Sequence, residues 1–353
     1  MPAPKRRRSR RRALVGGVLA TFAALGVLWG GGEAWRHETE RPIRDPGAPP
    51  ATLEIPPGAS ADWIARQLYA LGFVHHPFVF RVLVHTRGVG ASLRAGEYAL
   101  DSSLSLAQVV DKLVRGDVVR HEITFPEGKN LAEAAEIAGA RKVDAAAFLT
   151  AAKDPALIQD LDPKATDLEG YLFPDTYDIP RSGDTAAILV SRMVGRFRSV
   201  IEPELSKVRA SRMTVREVVT LASLVELETA RVDERPRIAA VFLNRLARGM
   251  LLQTDPTIIY ALKRKGTWNG NIRLVDLGLD SPFNTYRVAG LPPGPIASPG
   301  KDALRAVLEP APGKDLYFVS RNDGTHQFSE TLAEHNRAVD LYQKRRGGSR
   351  RES

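Results

Sequence analysis

The sequence predicts an α+β protein made of one N-terminal membrane helix, a small αβ module and a larger α+β domain. Three observations carry that prediction. Twenty uncharged residues follow a block of cations, a strand–turn–helix pattern occurs twice about seventy residues apart, and long helical stretches then alternate with polar turns and a Pro/Gly-rich loop.

Residues 13–32 (ALVGGVLATFAALGVLWGGG) contain no charge. A helix of that length reaches about 30 Å, the thickness of a bilayer's hydrocarbon core. Lys5, Arg6, Arg7, Arg8, Arg10, Arg11 and Arg12 precede it, whereas Glu33, Arg36 and His37 follow. This asymmetry places residues 1–12 in the cytoplasm and exports the rest. Trp29 and Trp35 suit an interfacial aromatic belt. The apolar run exceeds the 7–15 residues usual in a cleaved signal peptide and no small-residue cleavage site follows it, so a retained anchor in the inner (plasma) membrane is expected. Residues 33–50, ending in PIRDPGAPP, read as a stiff linker.

The net charge of +9 on 353 residues would usually suggest a nucleic-acid partner. Its position excludes that reading. The first twelve residues carry +7 and the last ten, a basic tail over 344–353, carry +4, which leaves −2 for residues 13–343. An acidic body offers no stripe to follow phosphates. With no cysteine and seven histidines in no HExxH-like pair, neither a thiolate site nor a metal centre is expected.

The module over residues 51–119 opens with LEIPPGASADWIARQL (Leu53–Leu68), and the larger domain, residues 120–343, opens with ITFPEGKNLAEAAEIA (Ile123–Ala138). At an offset of seventy, Pro56 and Gly58 match Pro126 and Gly128. Each copy reads as a short strand, a P-x-G turn and an amphipathic helix. Pro77–His85 and Ser105–Leu113 then read as helices, with a strand over Leu93–Leu100 between them. This order resembles the LysM-like modules that bind N-acetylglucosamine polymers; the residues leave open whether it binds sugar or serves as a spacer.

In the larger domain, Thr214-Val215-Arg216-Glu217 is a capping box, and the helix it starts runs to about Ala230. Asp233 and Pro236 restart a second helix, which ends near Gly249. Glu226 and Glu228 lie on the first of these. Glu228 has Arg231 at i+3, a surface ion-pair spacing. Glu226 has Ala222, Ser223 and Ala230 around it and no cation within helical reach, so a ligand has room to approach. Partial burial would raise its pKa toward general-acid use. Downstream, QTDPT (Gln253–Thr257) and SPFNTY (Ser281–Tyr286) are polar turns rich in donors and acceptors that suit a sugar. GLPPGPIASPG (Gly290–Gly300) has four Pro and three Gly in eleven residues, a loop with little backbone entropy left to lose.

EGYLFPDTY (Glu169–Tyr177), LASLVELETA (Leu221–Ala230), VFLNRL, LQTDPTIIYAL, SPFNTYR, GLPPGPIASPG and YFVSRNDGTHQFSETLAEHN (Tyr317–Asn336) together resemble the endolytic murein transglycosylases, the YceG-like family. The resemblance runs in order from the anchor to about Tyr342. It implies a YceG-like catalytic domain in a single-pass membrane enzyme that cuts the MurNAc–GlcNAc bond within nascent peptidoglycan strands, leaves 1,6-anhydromuramoyl ends and so terminates glycan elongation. It also implies that Glu226, the first Glu of the ASxVExET segment, is catalytic. Candidates for orienting the sugars are Asn244, Gln253, Thr254, Asp255, Asn284 and Tyr286; for Asn244 and Asp255 the competing use is capping. His326 and His335 read as structural. No cofactor is expected, because a pyridoxal-phosphate reading finds Lys263 and Lys265 alone among the motif segments before residue 300. Peptidoglycan synthases are candidate partners, and a non-catalytic wall-binding scaffold is the alternative function. Removing residues 1–32 is expected to move the chain from the carbonate-washed membrane fraction to the soluble fraction, as followed by immunoblot.

Overall fold

A computed structural model describes residues 31–45, 47–179 and 185–344. Residues 1–12, most of the expected membrane segment 13–32 and residues 345–353 of the C-terminal tail lie outside that range. Among the described residues no helix is long and apolar enough to cross a membrane. The described residues divide into two compact units, one running to His121 and the other comprising 122–179 and 185–344.

In the first unit, β1 (Ala51–Ile55) pairs antiparallel with β2 (Gly96–Leu100), with Ala51 opposite Leu100 and Ile55 opposite Gly96. Helices α1 (Ala61–Ala70), α2 (Pro77–Thr86) and α3 (Leu106–Arg115) complete the β-α-α-β-α order. Ser60 caps α1, and Ser105 with Gln108 forms a capping box on α3. Leu53, Ile55, Ile64, Leu68, Phe80 and Leu113 meet in one core. Tyr98 is also buried there, and its hydroxyl donates to the Arg94 carbonyl at 2.7 Å. Part of the Pro-rich stretch joins this unit: Trp35 packs against the core, Pro42 forms a bridge with Ser105, and the Arg44 guanidinium lies over the Phe73 ring.

The second unit begins with β3 (His121–Thr124), which pairs with β4 (Thr176–Ile179). Between them, α4 (Leu131–Ala140) packs on α5 (Ala145–Ala152). After β4 come α6 (Thr185–Ile201) and α7 (Leu205–Ala210), then α8 (Val215–Glu228) and α9 (Arg235–Ala247). The chain closes with α10 (Asp255–Lys265), α11 (Lys301–Leu308), the hairpin of β5 (Tyr317–Ser320) and β6 (His326–Ser329), and α12 (Leu332–Val339).

Helix α8 is the centre of this unit. Val218, Val219, Leu221, Ala222, Leu224 and Val225 are fully buried, because α9, α10 and α11 all pack on it. A helix apolar on nearly every side has to be enclosed in this way. It starts at the expected place, where the Thr214 hydroxyl accepts from the Glu217 amide and the Glu217 carboxylate accepts from the Thr214 amide. It stops at Glu228, two residues before the sequence reading, since Thr229 is already extended.

Two features fix the loop before α11. Arg216 donates to the Pro293 carbonyl and to the buried Asp162, while the Ile296 amide donates to the Ser223 hydroxyl of α8. On the other side, Gly128 and Lys129 exchange backbone hydrogen bonds with Ser298. Gly170 lets Pro295 approach, for a Cβ there would lie 2.3 Å from the proline's own Cβ, and its φ of +83° suits glycine. Gly170→Ala is therefore expected to lower stability by about 1–3 kcal/mol or more in urea denaturation. An unchanged midpoint would show that the loop yields without loss.

Candidate functional site

The two P-x-G turns of the internal echo share a backbone conformation, with Gly58 at φ +79° and Gly128 at φ +75°. They differ in what they face. A Cβ on Gly58 would meet open space, whereas one on Gly128 would lie 3.1 Å from Leu227 and 3.8 Å from the Glu226 side chain. The turn thus runs against the C-terminal end of α8. Where the first copy has Pro57, this copy has Glu127, and its carboxylate is directed at the same place.

Three chain segments converge on Glu226. Its Oε2 accepts from the Gly300 amide at 2.9 Å, and its Oε1 accepts from Arg235 Nη2 at 2.5 Å. The same Nη2 lies 3.3 Å from Glu127 Oε2. Gly300 is the N-cap of α11, so the carboxylate sits at the positive end of that helix dipole. A Cβ at 300 would fall 1.8 Å from Glu127 Oε1, so any larger residue there would displace the Glu127 carboxylate. The side chains of Glu226 and Arg235 are each 4% exposed, while that of Glu127 is 46% exposed. Burial pushes the Glu226 carboxyl up to about 7, against the Gly300 amide and the Arg235 charge, which pull it down; the neighbouring Glu127 charge pushes it further up. A carboxyl near 7 can hold a proton and give it up at neutral pH.

Sequence reasoning did not find Arg235, Glu127 or Gly300. Arg235 was absorbed into the start of the second helix, and the expectation of a Glu226 without a cation holds for its own helix alone. Glu127 had one signal, the acidic residue standing where the echoing turn has proline. The surface pair of Glu228 with Arg231 does not form. Helix α8 ends at Glu228, so no i+3 geometry exists, and Arg231 bonds Asp233 at 2.7 Å instead.

Two residues on, Glu228 projects about 200° around the helix from Glu226 and accepts from the Thr254 hydroxyl. Its carboxyl is raised to about 7 by burial, with Thr254 opposing and Asp255 adding to the rise. Glu228 lines a cavity of about 380 Å³ with Gln253, Asp255, Tyr286, Arg245 and His335. Here the Tyr286 hydroxyl donates to Asp255 at 2.6 Å, Gln253 holds φ +50°, and the Gln253 and Thr254 amides bond Thr285. The structure therefore brings Gln253, Thr254, Asp255 and Tyr286 together. Asn244 is elsewhere, donating to the Gly313 and Asp315 carbonyls, whereas the fully buried Asn284 accepts from the Tyr286 amide at 2.9 Å and donates to the carbonyls of Leu277 and Leu279. Of the two histidines, His326 bonds Glu234 at 2.6 Å and His335 stacks on Tyr317. Lys263 is paired with Glu133 at 2.5 Å.

A third raised acid, Glu169, opens the EGYLFPDTY segment. It is nine-tenths buried and accepts from the Leu131 amide at the start of α4 and from the Tyr260 hydroxyl.

The sequence profile of the YceG-like family matches residues 53–341. A Bacillus subtilis protein named endolytic murein transglycosylase is 31% identical over 90% of this chain and 91% of its own length. A Streptococcus pneumoniae (strain D39) protein of the same name is 33% identical over 82% of this chain, which spans 57% of that longer protein. The crystal structure of a yceG-like protein from Listeria monocytogenes superposes with a TM-score of 0.57 at 33% identity, covering 82% of this chain and 98% of that one.

Burial raises Glu169 to about 8, with Glu226 and Glu228 near 7. A folded-state pKa above the unfolded value means stability that is complete below about pH 4.5 and lost as pH rises through 7 to 8. Urea denaturation from pH 5 to 9 should show that loss, and Glu169→Gln should flatten its upper part. An equally steep profile in the variant would remove Glu169 as a cause.

Proposed function

The chain belongs to the YceG-like family, and we propose that it is a membrane-anchored endolytic lytic transglycosylase acting on nascent peptidoglycan strands, with Glu226 as its acid and base. The observation that carries this is one near-neutral carboxyl held by the start of α11 and by Arg235 at the end of the central helix.

One acid suffices for this chemistry. Hydrolysing glycosidases ordinarily need a second carboxyl to activate water or to attack the sugar. Here Glu226 gives its proton to the oxygen of the MurNAc–GlcNAc bond, and the bond from that oxygen to the muramoyl C1 breaks. The 6-hydroxyl of the same muramoyl residue then bonds to C1 and returns its proton to Glu226. The nucleophile is tethered to the sugar it attacks, an arrangement worth effective molarities of about 10⁵ M or more in good geometry. The product is a 1,6-anhydromuramoyl end, which stops elongation of that strand.

Gln253, Thr254, Asp255 and Tyr286 are the proposed sugar-orienting groups: Gln253, Asp255 and Tyr286 line one cavity with Glu228, and the buried Thr254 donates its hydroxyl to Glu228. Asn244 and Asn284 act one step further out, through the loops whose carbonyls they hold. The anchor over residues 13–32 keeps the domain on the outer side of the inner membrane, within reach of peptidoglycan synthases.

Glu226→Gln is expected to lower the rate of anhydromuramoyl-end formation from un-crosslinked glycan by at least about 10²-fold, read by mass spectrometry, with an unchanged circular dichroism spectrum. Equal product from the variant would overturn the assignment. Sacculus binding by the wild type with no new chain ends would point to a scaffold.

A further inference from the structure

The reading of Glu226 as the acid leaves a question of protonation, because a carboxyl already paired with an arginine would ordinarily be ionised at neutral pH. Glu127 bears on that question by its position. Its carboxylate occupies the space a side chain at 300 would fill, and it approaches the same nitrogen of Arg235 that binds Glu226. Two carboxyls thus meet one guanidinium on a single nitrogen. Nε and Nη1 of Arg235 are buried and bond neither of them. Neither acid receives the bidentate pairing that would fully compensate its charge.

Resting on the transglycosylase reading, we propose that Glu127 is a positioning residue of this site, which shares one proton with Glu226 and thereby keeps the acid loaded. Like-charged carboxyls in contact cannot both ionise without a large penalty, so one proton stays with the pair. The structure brings the two together on one nitrogen, with Arg235 Nη2 2.5 Å from Glu226 Oε1 and 3.3 Å from Glu127 Oε2. Glu127 is the exposed member, so the pair can exchange its proton with solvent while Glu226 remains enclosed.

Other charges nearby are engaged or directed elsewhere. On α9, Arg237 bonds Asp315 and Arg245 bonds backbone carbonyls. On α11, Lys301 and Asp302 are exposed and Arg305 pairs with Glu309. On α10, Asp255 acts on Glu228 and Lys263 is tied to Glu133. Arg235 and Glu127 remain as the charges that act on Glu226.

The test is the pH profile of kcat/KM for the full-length chain and its Glu127→Gln and Glu127→Asp variants on un-crosslinked glycan, with carbon-13 titration of the glutamate carboxyls in parallel. Glu226→Gln identifies the Glu226 resonance. The wild type should lose activity as pH rises through about 7, and Glu127→Gln should move that limb down by about one unit, a roughly tenfold loss at pH 8. Glu127→Asp should recover part of the shift. In the wild type, the Glu226 carboxyl should titrate in two steps. That readout needs no turnover. An unmoved limb in Glu127→Gln, or a Glu226 carboxyl that titrates in one step in the ordinary range, overturns the proposal. A wild type that releases no anhydromuramoyl ends would instead overturn the transglycosylase reading, and the carboxyl titration would still decide the pairing.

Discussion

The contact from the Gly300 amide to the Glu226 carboxylate joins the two halves of the candidate site. Position 300 has no side chain. The space a Cβ would take is filled by the Glu127 carboxylate, so one glycine both donates to one acid and admits another. The loop that delivers Gly300 is held along its length by Arg216, Ser223, Gly170 and the Gly128–Lys129 turn. Its proline content reduces the entropy lost in holding it there.

Helix α8 serves as the rigid base. Enclosed by three neighbouring helices, it cannot rotate without exposing valines and leucines, so Glu226 and Glu228 are directed to opposite sides. Rigid elements position functional groups more closely than loops do. The outcome is two different carboxyl environments on one helix end: Glu226 beside a cation and a helix N-terminus, and Glu228 beside a threonine hydroxyl and a tyrosine-lined cavity. In both, burial is the dominant influence and raises the acid.

The internal echo shows how one local solution acquires a site. Strand, P-x-G turn and capped helix occur in both units, with glycine in the left-handed conformation each time. In the first unit the turn faces open space. In the second, Glu127 in place of Pro57 and a close approach to α8 bring it against an acid. The repeat supplies the backbone and the substitution supplies the charge.

Local periodicity and capping chemistry were legible in the sequence by itself. It determined the order of elements in the first unit, the start of α8 at Thr214, the small-residue surroundings of Glu226 and the stiffness of the loop from 290 to 300. These follow from neighbours three or four positions apart, where spacing and geometry are nearly the same thing. The tertiary structure alone decided the rest. Arg235 lies nine residues from Glu226 but on another helix, Gly300 lies seventy-four away, and Glu127 meets Arg235 across one hundred and eight. It also ended α8 before Arg231 could pair with Glu228, and it separated Asn244 from the residues around Tyr286. The physical reason is that a carboxyl's pKa depends on dehydration and on charges within a few ångströms, and packing sets those distances where sequence separation does not.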